Sequence, residues 1–106
     1  MSFRYMRVVV FFDLPTESAD ERRDYRRFRQ MLLKNGFVMM QESVYSKIAL
    51  NSTAAEVIKE TVRKNKAPKG LIQMLVVTEK QFESIEFVLG TAQSVIIESS
   101  DRLVIL

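Results

Sequence analysis

The segment Arg7-Val8-Val9-Val10-Phe11-Phe12-Asp13-Leu14-Pro15 decides the fold of this chain of 106 residues. Its five consecutive apolar residues, three of them valine, predict a strand that is buried on both faces. Pro15 lacks an amide hydrogen and disfavours helix at Leu14, so the strand should end at or just after Asp13. Because a buried carboxylate without a partner is costly, we expect Asp13 at the rim of the core, where it meets a helix cap, an arginine or a metal ion, or organises the following turn.

The composition restricts both the size of the protein and its chemistry. With 47% hydrophobic residues, residues 1–106 should form a single domain. The chain contains neither cysteine nor histidine, which excludes disulfides, thiolate metal sites and Ser–His or Cys–His catalysis. No apolar window is long enough to span a membrane and no signal peptide is recognisable, so we expect a cytoplasmic protein without membrane contact. The net charge of +3 is compatible with a nucleic-acid partner but does not prove one.

An arginine-rich helix should follow the first strand. Ser18 and Glu21 form a capping box and Gly36 supplies a left-handed stop, which together predict a helix that reaches Asn35. One helix face is apolar and should pack on the sheet. The remaining surface carries five arginines within eight positions, namely Arg22, Arg23, Arg26, Arg27 and Arg29. This stripe is either a solvated face or a phosphate-binding surface, and arginine favours phosphate because its guanidinium binds in bidentate fashion.

Two further strands are predicted after this helix. Residues 37–41 form an apolar run that indicates the second strand. In the third strand, Val44, Ile48 and Leu50 alternate with polar or small residues, which is typical of a half-buried strand. No glycine or proline separates the two strands, so the turn near residues 41–43 must be tight or bulged.

The second half of the chain completes a ferredoxin-like order. Thr53 and Glu56 predict a capping box at the start of a second helix. The loop that follows is basic, with Lys66 and Lys69, and residues 71–78 predict a fourth strand that is buried on both faces. The order βαββαβ predicts an α+β sandwich in which an antiparallel sheet carries two helices on one face.

The last part of the chain exceeds this minimal fold. Thr78 should cap one helical turn, residues 85–89 predict a strand, and residues 102–106 predict an additional C-terminal strand. An apolar terminal strand needs a partner, and the sheet has one face without helices. Two copies stacked sheet to sheet, with residues 79–106 completing the dimer sheets, would satisfy both needs, so the sequence predicts a homodimer.

Taken together, these strings resemble the Cas-two family, the small CRISPR-associated proteins of spacer acquisition that are often described as endoribonucleases. The first strand with its final Asp13 and the arginine-rich stretch 21–29 occupy the same places in that family. Gly36-Phe37 and Gln41-Glu42-Ser43-Val44-Tyr45 are similar to its Gly-Phe and Gln-x-Ser-Val-Tyr/Phe signature. Residues 78–82 and Arg102-Leu103-Val104 resemble the branch found in type II CRISPR systems.

The resemblance implies a homodimer of ferredoxin-like protomers that is flanked by CRISPR integrase dimers, which hold a short DNA duplex across it. It also implies that the two Asp13 side chains of the dimer share one Mg²⁺ ion, which makes Asp13 the catalytic and metal-binding residue of a nuclease for single-stranded RNA or double-stranded DNA. A hard dication would relieve the repulsion between the paired carboxylates. Ser43 and Tyr45 match the signature and are candidates for phosphate or interface contacts, with a turn serine and a sheet-face aromatic as the alternatives.

Functions of different classes remain open from the sequence. An adaptor would bind the backbone of double-stranded DNA, largely without regard to base sequence, through six cations: Arg22, Arg23, Arg26, Arg27, Lys66 and Lys69. A metal-dependent phosphodiesterase would depend on paired Asp13, a sparse site with one carboxylate per chain. A ferredoxin-like RNA-recognition module is less well supported, because the expected Lys/Arg-Gly-Phe string is missing. We favour the adaptor, with nuclease activity as a secondary property.

Overall fold

The computed structural model describes residues 5–91, which form a four-stranded antiparallel sheet and three helices. The strands are β1 (Met6–Asp13), β2 (Val38–Gln41), β3 (Val44–Ala49) and β4 (Leu71–Thr78), and the helices are α1 (Ala19–Lys34), α2 (Ser52–Lys64) and α3 (Glu79–Glu83). The sheet order is β2-β3-β1-β4. This arrangement confirms the predicted α+β, ferredoxin-like fold. The predicted strand at residues 102–106 lies outside the described residues.

Strand β1 is central and pairs with β3 on one side and β4 on the other. Val8 and Val10 are fully buried, and Phe12 joins them in the core beneath the helices. Alternation along the strand therefore turns Val9 and Phe11 to the opposite face of the sheet. The strand ends at Asp13, as the following Leu14-Pro15 predicted.

The N-terminal caps confirm one helix prediction and correct another. The Ser18 side chain accepts a hydrogen bond from the Glu21 amide, and the Glu21 carboxylate accepts one from the Ser18 amide, so the capping box of α1 is present. The predicted cap at Thr53 is wrong, because the Asn51 side chain accepts from the amide of Ala54 at 2.8 Å. Asparagine is at least as good an N-cap as threonine, so α2 begins earlier and includes Thr53 in its first turn.

The apolar alternation in β3 predicted the wrong buried face for this strand. Tyr45 and Ala49 are 1% and 3% exposed, whereas Ile48 and Leu50 are 45% and 62% exposed. The reason is the register, since Tyr45 lies opposite Val10 and shares its helix-covered face. Ile48 consequently faces the side of the sheet opposite α1 and α2.

The side of the sheet opposite α1 and α2 is here called the helix-free face because neither of these two long helices packs on it. The short helix α3 reaches only the end that carries Arg7, and the apolar remainder is partly covered. Ile48 of β3 and Leu75 of β4 lie on it, and Leu75 is 51% exposed. The prediction that β4 is buried on both faces is therefore wrong within one protomer. Among residues 5–91, no helix has the length and apolar character needed to cross a membrane.

The segment after β4 contains the predicted helical turn but not the predicted strand. Thr78 caps α3 through a capping box with Gln81. Residues 85–89 form no strand, and Val88 and Leu89 are 88% and 94% exposed. A strand requires backbone hydrogen bonds from a neighbour, and no described strand provides them here.

Candidate functional site

Asp13 lies exposed at the carboxyl end of β1, opposite Leu71 of β4. Alternation along β1 places it on the helix-free face, on the same side as Val9 and Phe11. Its carboxylate forms no hydrogen bond or ion pair with any residue between 5 and 91. The expected helix cap or arginine partner is thus not found in the described part of the chain.

Two neighbouring backbone segments support the end of β1. The Phe12 amide donates to the Ser43 carbonyl at 3.1 Å, and Ser43 adopts a φ of 66° in the turn between β2 and β3. Ser43 is therefore a turn residue, which was the alternative to a phosphate or interface contact. The register shift between Met39 and Gln41 confirms the expected bulge. On the other side, Gly70 packs on the Asp13 backbone, a contact that the sequence analysis missed.

The carboxylates available to one protomer limit how a metal ion could be held. Among residues 5–91 there is no cluster of three or more potential acidic, histidine or cysteine ligands. Glu79 lies at the opposite end of β1, because it follows Thr78, which pairs with Met6. Mg²⁺ often keeps several waters and uses only one or two protein carboxylates. Asp13 therefore fits a shared Mg²⁺ only if a second Asp13 approaches it.

The first arginines of α1 are directed toward its N-terminal turn. Arg22 Nη1 donates to the carbonyls of Thr16 and Glu17 at 3.2 and 3.0 Å. Arg23 forms an ion pair with Asp20 at 3.2 Å and a longer one with Asp24 at 3.9 Å. Arg22 keeps its uncompensated charge, whereas the charge of Arg23 is partly neutralised.

The basic loop before β4 contributes one paired and one unpaired cation. Lys69 Nζ lies 3.4 Å from Glu21 Oε2. The hydrogen bond from the Ser18 amide, assisted by the Glu17 amide and Lys69, holds the pKa of Glu21 below its usual value. Lys66 is exposed and meets no carboxylate within the described ranges. Arg26 and Arg27, on the neighbouring surface of α1, are also exposed and meet no carboxylate within the described ranges.

Tyr45 is a core residue and not a surface contact. Its ring stacks on Phe12 with centroids 5.7 Å apart, and its hydroxyl accepts a hydrogen bond from Arg29 Nε at 2.9 Å. With 1% exposure, the side chain cannot reach a phosphate or a partner protomer without opening the core. The predicted role of Tyr45 in phosphate or interface contact is therefore wrong. Arg29 binds a buried side chain and is not part of the outer arginine stripe.

Helix α2 pairs two of its three cations with its own carboxylates, in contrast to α1, and only Lys64 at its end has no partner among the described residues. Arg63 contacts Glu56 at 2.8 Å and Glu60 at 2.6 Å, and Lys59 lies 3.6 Å from Glu56. The hydrogen bond from Arg63 lowers the pKa of Glu56, and the hydrogen bond to Glu56 raises the pKa of Arg63. The uncompensated positive charge near the helices is thus concentrated on α1 and the loop after α2.

The fold and these surfaces define a small ferredoxin-like protein with a basic helix surface and an exposed acid at the end of its central strand. Residues 6–85 match the family model described as CRISPR associated protein Cas2. The chain belongs to this family, which confirms the resemblance found in the sequence.

Three curated relatives align over 95% of the chain, and each carries the name CRISPR-associated endoribonuclease Cas2. The protein of Treponema denticola is 46% identical over 101 residues, which cover 95% of this chain and 100% of the relative. The protein of Streptococcus mutans strain UA159 is 45% identical, with 95% and 93% covered. The protein of Ligilactobacillus salivarius is 39% identical, with 95% and 100% covered.

Proposed function

We propose that this chain is a homodimeric adaptor of CRISPR spacer acquisition that binds double-stranded DNA through its phosphate backbone and works with CRISPR integrase dimers. The observation that carries the proposal is the basic surface formed by Arg26, Arg27 and Lys66, whose charges meet no carboxylate among residues 5–91. Such cations attract phosphate, and phosphate contacts do not depend on base sequence. Membership of a CRISPR-associated family supports a nucleic-acid partner.

The helix-free face supports the homodimer. Ile48, Leu71 and Leu75 are each between 45% and 55% exposed there, although they are large apolar side chains. A second copy stacked on this face would remove them from water, at about 25 cal/mol per Å² of apolar area. Asp13 lies on the same face, so this stacking would also bring the two carboxylates toward each other. Residues 79–106 would complete the dimer sheets in this arrangement.

The adaptor proposal is tested by sedimentation and DNA binding. We expect a dimer in sedimentation equilibrium, and binding to a mixed-sequence duplex whose affinity falls steeply between about 50 and 200 mM salt. The double variant Arg26→Gln/Arg27→Gln should lower the slope of log K against log salt by about 1.8 for each protomer that contacts the duplex. The matched control is Lys59→Gln/Arg63→Gln, which removes two compensated cations from α2 and should leave the slope unchanged. A stable monomer without affinity for duplex DNA would contradict the proposal.

A second candidate function is a magnesium-dependent endonuclease that acts on single-stranded RNA or double-stranded DNA. It is favoured by the exposed, unpartnered carboxylate of Asp13 at the helix-free face, and by the endoribonuclease names of the relatives. Mg²⁺ shared by two Asp13 side chains would neutralise negative charge on the scissile phosphodiester. The protein's contribution is to hold the two carboxylates at the end of a rigid central strand.

The variant Asp13→Asn separates the two candidate functions, because it removes the charge and nearly preserves the shape. We expect the variant to bind duplex DNA and to lose any Mg²⁺-dependent cleavage of single-stranded RNA and duplex DNA. Asp20→Asn, another exposed acid, is the control that should retain cleavage. Spacer integration that survives Asp13→Asn in the presence of the integrase would establish the adaptor as the main role. Cleavage that survives the same substitution would remove Asp13 from the nuclease site.

A further inference from the structure

A shallow hollow runs along the outer surface of α1, beside the end of α2, and we call it the α1 hollow. Its volume is about 460 Å³. Four of its lining residues, Arg23, Arg27, Gln30 and Lys34, are spaced at i, i+4, i+7 and i+11, so they form one row on the helix. Arg26 lines the hollow beside this row. The α1 hollow is therefore bordered by cations along most of the helix.

The α1 hollow continues into a second hollow of about 310 Å³ beside the loop after α2. The two share Arg27, Met31 and Asn65, and Lys66 lines the second one. Asp24 also lines it, but this carboxylate lies 3.9 Å from Arg23. The positive charges thus outnumber the acid along the whole depression.

Four of the five cations that line this depression are free to meet a ligand, and the exception is Arg23, which is paired with Asp20. Lys34, like Arg26, Arg27 and Lys66, forms no ion pair or hydrogen bond with another residue in the range 5–91. The amide groups at the helix ends are already engaged, since Asn35 donates to Met31 and Asn65 donates to Thr61, both at 2.8 Å. Apart from Gln30, recognition would therefore rest on charge, which suits a repeating phosphate backbone.

The length of the row matches a stretch of backbone better than a single anion. Arg23 and Lys34 are eleven residues apart, which corresponds to about 16 Å along a helix. One strand of B-DNA carries a phosphate about every 3.4 Å along the axis. The row is therefore longer than the spacing between neighbouring phosphates of one strand, and it can face more than one of them.

We infer that the α1 hollow and its continuation hold one phosphodiester strand of the bound duplex, with Lys34 as a phosphate contact at the C-terminal end of α1. The inference rests on the proposed DNA-binding function and extends it from the first turns of the helix to its last. It adds Lys34, which the arginine pattern of the sequence does not include. It leaves out Arg29, whose guanidinium Nε is bound to Tyr45.

The chain offers a closely matched pair of lysines for the test. Lys34 and Lys64 are the exposed last residues of α1 and α2, but only Lys34 lines the hollow. Lys34→Gln should lower the slope of log K against log salt by about 0.9 for each protomer that contacts the duplex. Each such contact makes the affinity loss between 50 and 200 mM salt about 3.5-fold smaller than that of the wild type. Lys64→Gln makes the same change of charge at the same helix position and should leave the slope unchanged.

A second measurement uses the absence of cysteine from the chain. Gln30→Cys places one thiol inside the α1 hollow, and Val57→Cys places one on α2, where Val57 is 63% exposed. A duplex that carries a mixed disulfide with a small thiol, tethered to a backbone phosphate, should exchange with the thiolate of the Gln30→Cys variant, which forms the protein–DNA disulfide and releases the small thiol, and it should not exchange with the Val57→Cys variant. Thermal unfolding of each variant confirms that the fold is retained.

The outcomes distinguish this inference from the proposed function. Wild-type protein that fails to bind duplex DNA would overturn the proposed function and the inference together. Only the inference would be overturned by the following combination of results. The wild type binds duplex DNA and Arg26→Gln/Arg27→Gln weakens this binding, but Lys34→Gln and Lys64→Gln give equal slopes and no disulfide forms at position 30. Tighter binding of single-stranded RNA than of a duplex of the same length would overturn the assignment to a duplex strand.

Discussion

A Cβ atom on Gly70 would stand 2.7 Å from the carbonyl oxygen of Asp13, so the loop before β4 packs directly on the backbone that carries the exposed acid. Gly70 also has a φ of 102°, a conformation that residues with a side chain rarely adopt. The glycine therefore meets two requirements, one conformational and one steric. Together they fix the end of β1 and, with it, the position of the Asp13 carboxylate.

Gly70→Ala should destabilise the protein by about 2–5 kcal/mol, because it combines backbone strain with a clash against backbone atoms. Gly36→Ala is the matched control. Gly36 also has a positive φ, 87°, but a Cβ there would first meet Lys47 Nζ at 3.4 Å, the mobile end of a side chain. The control should therefore cost only about 1 kcal/mol. Urea unfolding measures both values, and equal costs would show that the contact with Asp13 is not tight.

Arg7 and Glu79 should be energetically coupled, because their ion pair joins β1 to α3. Arg7 Nε and Nη2 donate to the two carboxylate oxygens at 2.7 and 3.0 Å, and the guanidinium lies 4.2 Å from the ring centroid of Phe82. Both charged side chains are only about one-fifth exposed, at 22% and 23%. A double-mutant cycle with Arg7→Met and Glu79→Gln should give a coupling of about 1–2 kcal/mol.

The ion pair of Arg63 and Glu56 provides the comparison for that cycle. It is also short, at 2.8 Å, but the two side chains are 43% and 61% exposed. Its coupling should fall within the error of the measurement, because water and salt screen exposed pairs. Equal couplings for the two pairs would contradict the structural role assigned to Arg7 and Glu79.

Tyr45→Phe should lower stability without changing DNA affinity. The substitution removes the hydroxyl that accepts from Arg29 and keeps the stacked ring, so we expect a loss of about 1 kcal/mol. Tyr25→Phe is the control, because the Tyr25 hydroxyl forms no hydrogen bond within the described residues. It should change stability by less than about 0.5 kcal/mol. Weaker duplex binding by Tyr45→Phe would contradict this assignment, because it would indicate that Tyr45 contacts phosphate despite its burial.

Asn51→Ala should cost about 1 kcal/mol, because it removes the side chain that caps α2. Thr53→Ala should be neutral or slightly stabilising, since Thr53 lies inside the first turn and alanine has the higher helix propensity. Chemical denaturation of both variants measures the difference. The reverse order would place the cap at Thr53, as its sequence pattern suggested.

Glu21 should make part of the stability dependent on pH. Its pKa in the folded protein lies below the unfolded value of 4.5, chiefly because the Ser18 amide donates to its carboxylate. The ionised side chain therefore stabilises the fold above that value, and this contribution is lost as the pH falls through the folded pKa. Glu21→Gln should flatten the fall in thermal midpoint below about pH 5.

Glu83→Gln is the control for this acid titration, because the Glu83 carboxylate has no hydrogen bond or ion pair with the residues that the structure describes. Its profile should follow that of the wild type. If Glu21→Gln and Glu83→Gln gave the same profile, the capping box would not be the source of the pH dependence.

Local patterns in the sequence were sufficient for the element order and for most element boundaries. The apolar run that ends at Asp13-Leu14-Pro15 predicted β1, and Ser18 with Glu21 predicted the start of α1. These signals are local, because a cap, a proline or a helical repeat acts within a few residues of the chain. The α+β order and the positions of Asp13 and the arginine-rich helix followed from them, and the family resemblance added the roles expected of these residues.

The tertiary structure alone decided which side chains face the core and which charges remain uncompensated. The pairing of Tyr45 with Val10 determined the buried face of β3, against the simpler apolar alternation. Arg29 and Arg63 are as basic as Arg27 in the sequence, yet the first binds a buried hydroxyl and the second binds two carboxylates. Such partners lie on other elements or other turns of a helix, so their proximity depends on packing and not on the order of residues.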